Sequence, residues 1–181
     1  MNPDLIIFNL LRSLTEFHFA VNWLIVFLAE YLGYILVAAL FYFIFAVKKD
    51  WRERWYYFAA GLLSVFLARW IVTDVIRFFY YRPRPFLAFD FAPLIESASA
   101  SFPSGHAAFF FALVPFAFLL DKKFGYWFTG AVVLMGFARV AAGVHWPSDI
   151  IGGAATGLLS FAAVWFILPK FKESVAQEKF V

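Results

Sequence analysis

Residues 19–47 carry a single charge, Glu30. A helix needs roughly 20 apolar residues to cross a bilayer. In hydrocarbon, every backbone polar group must find its partner within the protein. This stretch therefore constrains the chain more than any other: it must be a membrane helix, and its neighbours must be helices as well. Further apolar runs at 55–80, 104–120, 126–142 and 149–168 predict the remaining spans. Composition agrees, with 64% hydrophobic, 23% aromatic and 15% charged residues, too apolar for an ordinary soluble domain. Residues 3–18 place apolar positions at helical spacing, with Asn9, Arg12, Ser13 and Glu16 on another face, and are too short to span. The expected fold is an all-α polytopic membrane bundle of five transmembrane helices plus this interfacial amphipathic helix, one domain over 1–181.

The loops orient the bundle. Lys48, Lys49, Arg52 and Arg54, then Lys122 and Lys123, then Lys170, Lys172 and Lys179 fall on one side. The positive-inside rule makes that side cytoplasmic. The N-terminal helix, the 81–103 loop and the 143–148 turn then face outward. The net charge of +3 reflects this topology, and no nucleic-acid partner is expected. The chain has no cysteine, which excludes disulfides and thiolate metal sites. Asp4 and Glu16 flank the first apolar run without a small-residue cleavage site, so no cleaved signal peptide is expected. The polar tail, 169–181, is expected to fray.

Three segments meet at the outer face: Arg77-x6-Arg84-Pro85, Pro103-Ser104-Gly105-His106, and Arg139-x5-His145-x3-Asp149. The middle one reads as a helix start, with Pro103 in the first turn, Ser104 as cap, and Gly105 allowing close backbone approach. Exposed N–H groups at such a start favour anions, and His106 adds a group that titrates near neutrality. Phosphoryl transfer spreads negative charge over three equatorial oxygens, so its catalysis is mostly positioning and charge stabilisation. Arg77, Arg84 and Arg139 suit bidentate phosphate contacts, with Ser104 and the Gly105 N–H as neutral donors. His145 is a candidate nucleophile whose tautomer Asp149 can fix. His106 can protonate the leaving oxygen and then deprotonate water. No carboxylate cluster suggests a metal, so neither metal nor cofactor is expected.

These blocks resemble the type 2 phosphatidic acid phosphatase (PAP2) superfamily, whose soluble relatives include vanadium haloperoxidases. The family pattern is Lys-x6-Arg-Pro, Pro-Ser-Gly-His and Ser-Arg-x5-His-x3-Asp. Arg77 stands at the Lys and Ala138 at the Ser. The first keeps the charge with a different reach, and the second removes one donor. The resemblance implies a phosphohistidine at His145, acid–base work at His106 and no metal. Within the family, Arg82-Pro83-Arg84-Pro85-Phe86 and the Ala29-Glu30-Tyr31 segment are most similar to undecaprenyl-diphosphatases of the bacitracin-resistance type. Hydrolysis of undecaprenyl diphosphate to undecaprenyl phosphate at the outer face of the cytoplasmic membrane is the implied function. A phosphatidylglycerophosphate or phosphatidate phosphatase is the alternative within the family. A lipid-binding transporter or scaffold is the alternative outside it. The expected partners are a lipid phosphate or diphosphate and membrane lipids, with the oligomeric state left open.

Other residues carry weaker expectations. Glu30 and Arg69 lie at similar depth in adjacent spans, which predicts a structural ion pair; the functional alternative has Glu30 tuning the site from below. Asp74 and Arg77, three apart, are placed to pair along their helix. Gly153-x3-Gly157 predicts close packing within the bundle. The apolar 86–102 loop is expected to wall a lipid-tail entrance. Arg82 and His18 read as interfacial side chains without a role in the site.

Overall fold

The computed structural model describes residues 3–168. Expectations for the tail, including Lys170, Lys172 and Lys179, lie outside the described residues. The chain forms a multi-pass helical bundle. Helix α1, Pro3–Arg12, stops short of its predicted end at residue 18, and a 3₁₀ turn, Ser13–Glu16, follows. Ser13 and Thr15 donate their hydroxyls to the carbonyls of Leu10 and Arg12, bonds that compete with helix continuation. Among the described residues, four helices are long and apolar enough to cross a membrane: α2 (Phe19–Val47), α3 (Trp51–Phe79), α6 (Lys122–Ala141) and α7 (Pro147–Ile167). A single turn, α4 (Pro85–Ala88), precedes α5 (Gly105–Leu120), the shorter member of the five expected spans.

Caps set the helix starts. The first amides of a helix need acceptors that the helix cannot supply. His18 Nδ1 accepts from Ala20 N, an interfacial role that suits its exposure. The Asp50 carboxylate accepts from Arg52 N and starts α3 at residue 51 rather than 55. The Asp121 carboxylate accepts from Phe124 N and starts α6 at 122 rather than 126. The loop at 48–54 and the tight turn at 121–125 are both shorter than expected.

Helix α5 occupies the centre, packed on α3, α6 and α7. Its Ala108, Ala112 and Ala117 are fully buried. A Cβ on Gly153 would lie 2.5 Å from the Ser104 carbonyl oxygen, and one on Gly157 2.5 Å from that of Ala108. The Gly-x3-Gly face therefore serves α5–α7 packing within the bundle, as expected. Outward, Phe78, Phe79 and Trp127 are more than 80% exposed, a surface suited to lipid. From the turn at Asp121, α5 runs back 16 residues and α6 runs 20. At 1.5 Å per residue, α5 begins about 6 Å deeper than α6 ends, so the Ser104–His106 segment sits in a recess.

Among the described residues, two helices widen locally into π-turns, Phe27–Tyr31 in α2 and Leu67–Val72 in α3. The loop expected to wall a tail entrance instead folds over the 142–144 turn. Leu94 N donates to Ala142 O at 3.1 Å, and Ile95 is buried with Ile25, Ala138 and Val144. Ile95 and Leu94 thus find a protein core, whereas Leu87 and Phe89 stay exposed at 57% and 50%. Helix α1 closes the same end: Phe8 is 2% exposed and packs on Trp146 and Phe89, with ring centroids at 5.3 and 6.2 Å.

Candidate active site

The start of α5 is tied to the start of α7. Ser104 caps α5, its Oγ accepting from Ala107 N at 3.4 Å. Its own N–H donates to the Asp149 carbonyl at 2.9 Å. Pro103 precedes the cap rather than sitting in the first turn, and it follows Phe102 through a cis peptide. That placement leaves its carbonyl free to accept from Arg77 Nη2 at 2.9 Å.

His145 lies in the turn before α7, 1% exposed, over a fully buried Asp149. Its Nδ1 is 3.4 Å from Asp149 Oδ2, and its Nε2 is 3.5 Å from Arg84 Nη1. A guanidinium only donates, so this pattern assigns the proton to Nδ1 and turns the Nε2 lone pair toward Arg84. Burial pushes the imidazole down to about 3, with Arg139 and Arg84 adding to the shift and the Asp149 hydrogen bond opposing it. His145 is therefore neutral at physiological pH. Asp149 Oδ2 also accepts from Trp146 N at 2.7 Å and from Ser101 Oγ. These bonds fix the carboxylate before the histidine meets it.

Three arginines converge on the turn. Arg84, 2% exposed, donates Nε to Ser99 O at 2.7 Å and Nη1 to Val144 O at 2.6 Å. Burial, with Arg77 nearby, lowers it to about 10, and it stays charged at neutral pH. Arg77 donates Nη1 to Ser99 Oγ at 3.3 Å, and not to Asp74 as expected. Arg139, 4% exposed, donates to Ala29 O at 3.0 Å. The Nε groups of Arg77 and Arg139 are buried without a protein partner. The predicted site residues Arg77, Arg84, Ser104, Arg139, His145 and Asp149 thus come together at one end of the bundle.

Sequence reasoning missed Arg82. Its Nη1 donates to Asp149 Oδ1 at 2.8 Å and to Ser148 Oγ at 2.6 Å, and its Nη2 donates to Asp4 Oδ2 at 2.7 Å. The guanidinium also lies 5.2 Å from the Trp146 ring centroid. Asp4 in turn accepts from Ser148 N at 2.8 Å. Burial raises the Asp4 carboxyl, but hydrogen bonds from Ser148 and Arg82 outweigh it and hold the group below the usual carboxylate range. Helix α1 is thereby bolted to the carboxylate that holds His145. The signal lay only in partners far apart in the chain.

Below this cluster, Glu30, Arg69, Gly105 and His106 line a cavity of about 220 Å³. The expected Glu30–Arg69 pair is not formed. Arg69 Nη1 pairs instead with Asp74 Oδ1 at 3.3 Å, because the π-turn brings residues five apart onto one face. The expected Asp74–Arg77 pair gives way to the same contact. Glu30 acts electrostatically on Arg139. His106 is within electrostatic reach of Arg139, His145 and Arg69. Among the described residues, no three His, Cys, Asp or Glu side chains gather as metal ligands.

The model of the PAP2 superfamily matches residues 53–173. Phosphatidylglycerophosphatase B of Bacillus subtilis (strain 168) is 36% identical over 126 residues, spanning 63% of this chain and 58% of that protein. Undecaprenyl-diphosphatase BcrC of the same organism is 27% identical over 154 residues, spanning 84% of this chain and 78% of that protein. The crystal structure of Aquifex aeolicus LpxE superposes with a TM-score of 0.70 at 25% identity, covering 91% of this chain and 95% of that one.

Proposed function

The chain belongs to the PAP2 superfamily of phosphatases, and from that premise we propose that it hydrolyses undecaprenyl diphosphate to undecaprenyl phosphate and inorganic phosphate. The observation that carries the reading is the neutral His145, its Nε2 lone pair facing Arg84 and its Nδ1 held by Asp149. In the proposed first step His145 Nε2 attacks the terminal phosphorus. An N–P bond forms, the P–O bond to the lipid phosphate breaks, and His106 gives its proton to the leaving oxygen. Water then attacks the phosphohistidine with His106 as base, releasing phosphate and restoring both histidines. Arg77, Arg84 and Arg139 balance the equatorial oxygens, and the unpartnered Nε groups of Arg77 and Arg139 are donors suited to them. Ser104 and the Gly105 N–H complete the cradle. Guanidinium groups meet the charge, which supports turnover without a metal.

The diphosphate is favoured by the longer match to the undecaprenyl-diphosphatase, 84% of this chain against 63% for the phosphatidylglycerophosphatase. The basic turns at 48–54 and 122–123 lie at the end of the bundle opposite His145, which supports a site at the outer face. The higher identity to phosphatidylglycerophosphatase B, 36%, favours a second reading as a phosphatidylglycerophosphate phosphatase. Purified protein in detergent with EDTA, assayed on undecaprenyl diphosphate, phosphatidylglycerophosphate and phosphatidate, separates the two. The highest kcat/KM belongs to the diphosphate, with vanadate inhibiting. Turnover of phosphatidylglycerophosphate alone, or activity that needs added Mg²⁺, overturns the reading.

A further inference from the structure

Arg69 is a cation inside a membrane span whose only hydrogen-bonded partner among the described residues is a loosely held one. An ionisable side chain at such depth is expensive unless it has a function or a strong pair. Its contact to Asp74 is 3.3 Å long, and the two side chains are 31% and 52% exposed. A contact that long between two partly exposed side chains is a weak one and does not explain the placement. The guanidinium also lies 5.9 Å from the Trp70 ring centroid.

The position of Arg69 is more informative than its pairing. A Cβ on Gly105 would lie 2.6 Å from Arg69 Nε, so only glycine at 105 admits the guanidinium against the start of α5, beside His106. The π-turns Phe27–Tyr31 and Leu67–Val72 both border this cavity, contributing Glu30 and Arg69. Such turns recur at functional sites. Arg84 and Asp149 surround His145, whereas Arg69 and His106 share the cavity. In an in-line displacement the nucleophile and the leaving group stand on opposite sides of phosphorus. The compartment beside the general acid is where the leaving group goes. The cavity also opens downward: Val37, Trp70 and Phe109 line both it and an apolar groove between α2 and α3 that continues to Phe41 and Tyr57. A headgroup in the cavity can therefore keep its hydrocarbon tail in that groove.

We propose that Arg69 holds the lipid-side phosphate of a lipid diphosphate, making the cavity a second-phosphate subsite that selects diphosphates over monophosphates. This rests on the diphosphatase reading above. When the bond to the terminal phosphorus breaks, the bridging oxygen leaves on the lipid phosphate with its electron pair. His106 supplies the proton, and Arg69 balances the remaining charge. A lipid monophosphate leaves as an alcohol and presents no phosphate to Arg69. Glu30 lines the same cavity, but its charge is set against Arg139, which leaves Arg69 available to an anion. Exchanging Asp74 for a phosphate costs little, since the pair is weak.

The test compares wild type, Arg69→Ala, Arg69→Gln and Arg69→Lys in detergent micelles. Each is assayed for kcat/KM on undecaprenyl diphosphate and on phosphatidate, and for inhibition of phosphatidate turnover by undecaprenyl phosphate. Arg69→Ala loses at least tenfold on the diphosphate and less than threefold on phosphatidate. The lysine variant recovers part of the loss. Inhibition by undecaprenyl phosphate weakens by a similar factor in Arg69→Ala. If the alanine variant does not survive purification, the glutamine variant, which keeps the length and loses the charge, carries the same expectation. Parallel losses on both substrates, or none, overturn the subsite while leaving the diphosphatase reading intact. Wild type inactive on the diphosphate but active on phosphatidate overturns that reading and the subsite with it.

Discussion

Replacing Arg82 with methionine tests whether the bolt between α1 and Asp149 positions the nucleophile. The side chain is 21% exposed and its partner Asp149 is fully buried. Removing one member of a buried ion pair costs about 3–5 kcal/mol when the other is left unpaired. Asp149 is not left so: Ser101 Oγ, Trp146 N and His145 Nδ1 still face its Oδ2. The loss is closer to that of a hydrogen bond to a charged group, about 1.5–3 kcal/mol. Expressed wholly in the transition state, that is about 10–150-fold in kcat. The assay is phosphate release from undecaprenyl diphosphate at saturation, with melting temperature in detergent as a folding check. Arg82→Lys should recover only part of the rate, since one ammonium cannot bridge Asp4 and Asp149 as the two-pronged guanidinium does. Losing a cation beside Asp149 also lets His145 hold its proton more tightly, so the acid limb of the pH profile moves upward. Asp4→Asn, one contact further out, should cost about fivefold, or about 1 kcal/mol. A folded Arg82→Met enzyme with kcat within twofold of wild type and an unmoved acid limb refutes the reasoning.

Other outcomes follow from packing, charge and topology. Gly157→Ala drives a Cβ into the backbone of α5, 2.5 Å from Ala108 O, and should cost about 1–3 kcal/mol as a drop in melting temperature. Gly130→Ala, with nothing within 4 Å, should be neutral or stabilising, and equal effects of the two would contradict the packing. His145 is lowered to about 3 from 6.5, so the fold favours its neutral form. That stability is present above pH 6.5 and lost as pH falls toward 3, by about 1.4 kcal/mol per pH unit. The melting temperature of His145→Gln should therefore fall less than that of wild type between pH 7 and 4.5, and identical slopes would count against the burial argument. Single cysteines at Asp90 and Glu96 should react with an impermeant thiol reagent on intact cells, and one at Lys122 should not; the reverse pattern would invert the topology.

What the sequence disclosed follows from the range of each interaction. The spans were legible because hydrocarbon admits so few backbone solutions, and the site because its parts recur at short spacings: His145 and Asp149 sit four apart, on one face of a turn entering a helix. Arg82 was not legible. Its partners Asp4 and Ser148 lie 78 and 66 residues away, and an interfacial arginine looks the same whether or not they arrive. The Glu30–Arg69 expectation failed for a different reason. Similar depth in adjacent spans does not make a pair, because pairing also depends on the angle around each helix. The π-turns reset that angle, bringing Asp74 to Arg69 and leaving Glu30 near Arg139. The helices start at 51 and 122 rather than at the expected 55 and 126, because Asp50 and Asp121 read as loop charges, whereas each caps the helix that follows.

The central claim is that His145 accepts the phosphoryl group, and trapping that adduct tests it most directly. Enzyme mixed with undecaprenyl diphosphate carrying labelled terminal phosphate is quenched within one turnover in alkali, where a phosphohistidine survives. The labelled peptide is then sequenced by mass spectrometry. The account predicts label on His145 in wild type, label that accumulates when His106 is changed to alanine because hydrolysis of the adduct slows, and none in His145→Ala. Label on His106, or burst-free turnover with no labelled peptide in any variant, would contradict it.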